Sequence, residues 1–283
     1  MSPTTLLVSC LDRTGIVAAL SDFVFRHGGN VIDADQHSEG DSGQFFMRLR
    51  FDRSNFALDW EGIRMALEVL AKPFQMQWQL YDDAKRPRVA LFCSKGLHCV
   101  YDLLVRQQMG ELAGDIVAVV SNHTAAREAA EHFGLPFHHI PVSADTKDAA
   151  EAAQRDLLAT LNIDLVVLAR YMQVLSPDFV ESWAGGCINI HHSFLPAFAG
   201  AKPYHQAKER GVKIIGATAH YVTADLDQGP IIEQDVIRVT HRDEVTDLVR
   251  KGRDIERQVL ARAVALHLQH RVLIHDNRTI VFV

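Results

Sequence analysis

The residues best suited to chemistry in this chain lie between positions 188 and 230. In Ile188-Asn189-Ile190-His191-His192-Ser193-Phe194-Leu195-Pro196, an apolar strand ends in polar side chains and a proline-broken loop. Alternation along a strand sends Asn189 and His191 to the same face, so both can act on one substrate atom. In open parallel sheets, ligands bind at the carboxyl ends of strands, where this pair is expected. A second stretch, Gly216 through Val222, reads as a strand that runs into the acidic loop Asp225-Leu226-Asp227, which Gly229-Pro230 terminates. A carboxylate on such a loop can approach a histidine on a neighbouring strand. An amide, an imidazole and a carboxylate together suit acyl chemistry. The amide N–H stabilises an oxyanion, the imidazole moves protons, and the carboxylate orients the imidazole and stabilises its cation. Taken alone, the cluster has two other readings. The chain holds 15 histidines, and a histidine at a strand end is equally a hydrogen-bonded polar group. His191, His192, His205, His220 and Asp227 could also converge on zinc, although none of the usual ligand spacings occurs.

The elements that must position these residues fall into two rhythms. In the first, strands at 5–10, 31–38, 43–51 and 74–82 alternate with helices at 16–25 and 59–71, giving β-α-β-β-α-β in a ferredoxin-like split arrangement. Gly28-Gly29-Asn30 stops the first helix, Gly40-Asp41-Ser42-Gly43 makes a hairpin, and Pro73 ends the second helix. The charged, proline-containing run at 82–88 has no periodicity and marks a boundary. It separates a first domain, 1–82, through a linker, 83–88, from a second domain, 89–283. In the second rhythm, strands at 89–93, 116–121, 137–140, 164–169 and 187–190 alternate with helices at 99–108, after 121 to about 132, and 146–161. That order predicts a mostly parallel sheet with helices on both faces. Strands at 216–222 and 230–239 come without a helix between them and predict an antiparallel pair. A long helix at 243–268 and a hairpin turning at Asp276-Asn277 complete the chain.

Composition bounds the function. The chain has 283 residues, 48% hydrophobic and 23% charged, with a formal charge of −6, which suits a globular protein with two cores. No basic block points to nucleic acid or a membrane surface. The N-terminal apolar stretch is too short for a secretory leader, and no run approaches the length of a membrane span, so a cytoplasmic protein is expected. Cys10, Cys93, Cys99 and Cys187 include no CxxC pair, which argues for reduced, buried thiols. Cys99, after a polar loop, is the one candidate for a reactive thiol.

The run NIHHSFLPAFAGAKPYHQAKERGVKIIGATAHYV, followed by DLDQGPIIEQ, resembles the formyltetrahydrofolate-dependent transferase and hydrolase superfamily, whose best-known member is glycinamide ribonucleotide formyltransferase. That family carries Asn-x-His at a strand end and Asp shortly before Gly-Pro, so the resemblance assigns catalysis to Asn189, His191 and Asp227. LARYMQVLSP resembles the segment that lines the pterin pocket, which implies Leu168, Met172 and Val174 as folate-binding residues; core packing is the competing reading for each. The first 80 residues resemble an ACT domain. Leu11-Asp12-Arg13-Thr14-Gly15-Ile16-Val17 matches its first loop, and Gly28-Gly29-Asn30-Val31 its entry to the second strand.

The expected fold is therefore α/β, an N-terminal ferredoxin-like ACT regulatory domain and a C-terminal, mostly parallel, Rossmann-like formyltransferase domain. The form Asn-x-His-His-Ser-Phe-Leu-Pro, with PYHQA soon after, is closer to the branch of the superfamily that uses water. The stretch Ser94-Lys95-Gly96-Leu97-His98-Cys99 replaces a glycine-rich phosphate loop with bulky residues, in the same sense. The resemblance implies hydrolysis of 10-formyltetrahydrofolate to formate and tetrahydrofolate, supplying formate for purine synthesis and balancing one-carbon pools. It implies no permanently bound cofactor and no metal. It also implies an amino-acid effector, glycine or methionine, held by Asp12, Gly15 and Asn30, and a homo-oligomer. The alternatives are transfer of the formyl group to an amine, and a non-catalytic amino-acid or folate sensor.

Overall fold

The structure is a computed structural model and describes residues 2–196 and 203–283. Two compact units emerge from it.

In the first, β1 (Pro3–Leu11), α1 (Ile16–Arg26), β2 (Asn30–Glu39), β3 (Gln44–Asp52), α2 (Trp60–Ala71) and β4 (Gln77–Asp82) keep the expected order. They build an antiparallel sheet ordered β2-β3-β1-β4. Alternation decides its faces. Leu6 and Val8 of β1 and Phe45, Met47, Leu49 and Phe51 of β3 meet Ile16, Leu20 and Phe23 of α1 and Ile63 and Leu67 of α2 in one core. Each fully buried side chain of this kind contributes about 1.5–3 kcal/mol. Asp59 caps α2 by accepting the Gly62 N–H at 2.8 Å.

Leu7 and Phe46 point to the opposite face, where Leu273 and Phe282 cover them. This apolar patch corrects one expectation. The sequence predicts a second domain continuous to residue 283, whereas Gln269–Leu273 and Ile280–Val283 pack with the residues up to Arg86. Buried Arg48 fastens that tail, its Nε donating to the His270 carbonyl at 3.0 Å and its Nη1 to Asp33 at 2.7 Å.

The second unit comprises Pro87–Leu268 with Ile274–Thr279. Its elements are β5 (Arg88–Cys93), α3 (His98–Gln108), β6 (Asp115–Ser121), α4 (Arg127–His132), β7 (Phe137–His139), α5 (Lys147–Thr160), β8 (Leu165–Leu168), α6 (Pro177–Ser182), β9 (Cys187–His191), α7 (Pro203–Glu209), β10 (Ile214–Tyr221), β11 (Ile231–Arg238) and α8 (Val245–Leu268). The C-terminal hairpin is β12 (Val272–His275) and β13 (Arg278–Val281).

The sheet runs β11-β10-β9-β8-β5-β6-β7. Strands β5 to β9 are parallel, and β10 and β11 are antiparallel, as the sequence predicts. The first strand, β5, has β6 on one side and β8 on the other, so the chain reverses direction across the sheet there. A crevice opens at the carboxyl ends of strands at such a point. Leu158 of α5 and Phe179 of α6 pack on Phe92, Val120 and Val166, while α8 packs against β9, β10, β11 and α3. Helices α6 and α7 escape the sequence reading because they are too short to display helical periodicity. Only the Ser176 cap with Pro177 behind it signals α6. Among the described residues, no helix is long and apolar enough to cross a membrane.

Candidate active site

Strand β9 delivers Asn189 and His191 two residues apart at its carboxyl end. Antiparallel β10 sets Thr218 opposite His191 and His220 opposite Asn189. The Nδ1 of His220 lies 2.9 Å from the Tyr221 carbonyl, which can only accept, so Nδ1 carries the proton. Nε2 then holds a lone pair and accepts an N–H from Asn189 Nδ2 at 3.2 Å. One amide proton of Asn189 is thus used for orientation, and the other is available to a ligand. Burial holds His220 below the ordinary imidazole pKa, in keeping with a neutral ring.

Asp227 arrives from the loop between β10 and β11. Its Oδ2 lies 3.2 Å from His191 Nδ1, and its Oδ1 lies 3.8 Å from His220 Nε2. The hydrogen bond from His191, against some burial, keeps the Asp227 carboxyl below the usual range and therefore ionised. His191 is 6% exposed. Its Nδ1 faces the carboxylate, and its Nε2 is buried with no hydrogen-bond partner among the described residues. A buried polar atom left bare calls for an explanation, and an arriving substrate supplies one.

Backbone constraints hold these groups in place. Asp227 adopts a left-handed φ of 56°, which aspartate tolerates better than most residues. Two residues on, a Cβ at Gly229 would lie 1.8 Å from the Tyr221 carbonyl oxygen. Only glycine permits that closure, which the Tyr221 N–H seals by donating to Pro230 O at 2.9 Å. On the other side, buried Thr218 accepts the Leu195 N–H at 3.0 Å and donates to Ser193 O at 2.9 Å, fixing the chain just after His191 and His192. Residues 197–202 of the NIHHSFLP…PYHQA run lie outside the described residues.

The segment after β8 is equally tied. Ser94 Oγ accepts the Met172 N–H at 3.0 Å and donates to Asn122 Oδ1 at 2.7 Å, and the Ser176 N–H donates to Glu151 at 2.9 Å. The three folate candidates separate here. Leu168 lies beside Asn189 in the parallel register but is buried in the core with Phe92 and Tyr171. Met172 and Val174 are 60% and 58% exposed, an unusual position for large apolar side chains on a well-anchored loop.

The effector candidates do not meet within one chain. Asp12 and Gly15 follow the end of β1 that pairs with Gln44, whereas Asn30 pairs with Asp52 at the opposite end of β3. Nine residues of strand, about 27 Å, lie between the two ends.

All four thiols are free and buried. Cys99, the one candidate for a reactive thiol, is fully inaccessible, and burial followed by nearby Glu256 pushes its pKa well up, which disfavours the reactive thiolate. Its place on the buried side of α3 decided this. His98, Cys99 and Glu256 bring potential ligand atoms within 4.8 Å of one another, but the Arg170 guanidinium stands 3.5 Å from the same carboxylate and opposes a cation. Sequence reading missed Thr218, and it named His220 only as a possible zinc ligand rather than as the partner of Asn189. Their period-two alternation in Thr218-Ala219-His220 is the signal that could have found them.

The formyl transferase family model matches residues 87–264, and the ACT domain model matches residues 4–58. A formyltetrahydrofolate deformylase of Synechocystis sp. is 54% identical over 98% of this chain and 98% of its own. The crystal structure of a formyltetrahydrofolate deformylase from Pseudomonas syringae pv. tomato superposes with a TM-score of 0.97 at 49% identity, covering 100% of this chain and 95% of that one. One from Burkholderia mallei gives a TM-score of 0.93 at 47% identity, covering 100% of both chains.

Proposed function

Because this chain belongs to the formyl transferase family, and its full-length relatives are formyltetrahydrofolate deformylases, we propose that it hydrolyses 10-formyltetrahydrofolate to tetrahydrofolate and formate. One observation carries the mechanism: the buried, unpartnered Nε2 of His191, whose other nitrogen faces ionised Asp227. The formyl carbon lies against this nitrogen and the free N–H of Asn189. Water attacks the carbon, and His191 Nε2 takes its proton while Asp227 stabilises the resulting imidazolium. The carbonyl oxygen becomes an oxyanion held by Asn189. The C–N10 bond then breaks, and His191 returns the proton to N10. The formic acid so formed gives its proton to a water molecule while still in the site and leaves as formate. Met172 and Val174 supply apolar contact to the pterin, with Leu168 backing them from the core. No permanently bound cofactor enters these steps.

Purified full-length protein given 10-formyltetrahydrofolate and no amine is expected to release one formate per tetrahydrofolate. Consumption that requires an added amine would make the protein a transferase. Binding of the folate without formate release would make it a sensor.

The first unit provides the effector site, for glycine or methionine, and does so between copies. The first turn of α1 has neither a side-chain cap nor an acidic residue, so its N–H groups suit an amino-acid carboxylate. Strand β2 is the sheet edge, exposed along most of its length. Antiparallel pairing of β2 with a second β2 would set Asn30 of one copy beside the Asp12–Gly15 end of the other. A homo-oligomer thus completes a site that one chain leaves divided. The setting of this reaction is the cytoplasm.

A further inference from the structure

A second polar cluster adjoins the catalytic centre, and the mechanism above leaves it unused. Arg170, Arg253, His98, His192, Tyr204 and Glu256 line a cavity of about 270 Å³ in the second unit. The cavity lies at the carboxyl ends of β5, β8 and β9, in the crevice where strand order reverses. His192, on its wall, follows His191 directly, and the two rings are 5.1 Å apart.

The charges on this wall do not balance. Glu256, 2% exposed, is its single carboxylate, and both of its oxygens are occupied. His98 Nε2 approaches at 2.8 Å, the Tyr204 hydroxyl donates at 2.8 Å, and Arg170 Nε stands at 3.5 Å. Burial pushes the Glu256 pKa up, but these partners hold it net below the ordinary value, so the group is ionised and offset by Arg170. Among the described residues of the lining, Arg253 then remains as uncancelled positive charge. His192 is held neutral, its pKa lowered to about 4 by burial and by Arg170, and keeps an N–H to donate. The arrangement depends on Gly252, where a Cβ would lie 1.9 Å from the Tyr204 hydroxyl. Glycine there lets Tyr204 lie across α8 and reach Glu256.

We propose that this cavity is a small-oxyanion subsite that receives the formate product as it leaves the catalytic centre. The proposal rests on the hydrolytic reading. Hydrolysis creates a carboxylate beside ionised Asp227, which repels it, and the cationic wall lies on the other side of His192. The volume far exceeds the roughly 30 Å³ that one water occupies in the liquid, so formate enters with part of its hydration. The same wall disfavours a protonated amine.

The test is direct binding to the resting full-length protein, which needs no turnover. Isotopically labelled formate is titrated by NMR line broadening, with inorganic phosphate as a separate arm. Saturable formate binding is expected, weakened about tenfold by charge reversal in Arg253→Glu and largely kept in Arg253→Lys. Arg253 lies on the exposed side of α8, so both variants are expected to fold. Formate affinity that ignores residue 253 overturns the proposal. So does Arg253-dependent binding of phosphate with none of formate, which would assign the cavity to a phosphorylated ligand. A protein that hydrolyses normally but binds no formate sinks this proposal alone, whereas one that binds formate but releases none from 10-formyltetrahydrofolate sinks the hydrolytic reading.

Discussion

At the scale of single residues, the proposed mechanism divides labour among four polar groups. His220 spends its lone pair on one proton of the Asn189 amide and its own proton on a carbonyl, so the remaining Asn189 N–H has a fixed direction. Such preorganisation is what makes an oxyanion donor effective, since nothing has to reorganise as charge develops. Removing that donor in Asn189→Ala is expected to lower kcat by about 100- to 1000-fold. Asp227→Asn should fall at least as far, because a neutral amide cannot stabilise the imidazolium of His191. Formate release measured beside a melting curve separates lost chemistry from lost fold. Wild-type turnover in either variant would remove the role assigned to it.

At the scale of elements, the position of the Asp227 carboxylate depends on a backbone closure rather than on side-chain packing. The loop from β10 to β11 can bring Asp227 to His191 only if Gly229 passes against Tyr221. Gly229→Ala sets a methyl group into the Tyr221 carbonyl at 1.8 Å, a clash that only backbone movement relieves. We expect a loss of about 2–4 kcal/mol in stability, the range of severe overpacking with a strained backbone. A drop in kcat larger than that in Gly252→Ala should accompany it, since at Gly252 the obstacle is the far end of a tyrosine side chain. Equal activity in Gly229→Ala and wild type would show that the loop does not need this closure.

At the scale of the whole molecule, the exposed edge of the first unit is the feature on which the proposed pairing of copies rests. A ten-residue edge strand with Val31 and Ile32 about 40% exposed is an open template for another strand. Sedimentation equilibrium of the full chain is expected to give an oligomer, and the double variant Val31→Lys, Ile32→Lys a smaller species, since charged lysines on an edge strand oppose its pairing with another strand. Titration with glycine and with methionine should show binding to the wild type and little to the double variant. Undiminished binding by a monomeric variant would contradict a site shared between copies.

Both fold classes, and the residues that gather as Asn189, His191 and Asp227, were legible in the chain because each rests on local information. Period-two and helical alternation names strands and helices, and Asn189-Ile190-His191 keeps its shared face in any strand. Other features depended on neighbours distant in sequence. Cys99 follows a polar loop yet sits on the buried side of α3. Leu168 belongs to the core, while Met172 and Val174 do not. The last residues join the first unit because Leu7 and Phe46 leave an apolar patch that the tail covers. The role of His220 follows from the register of β10 against β9, and that register is set by pairing, which no single segment encodes. The sequence determined which residue types could share a face. The tertiary structure decided which faces meet, because burial and strand register are properties of contacts between segments far apart along the chain.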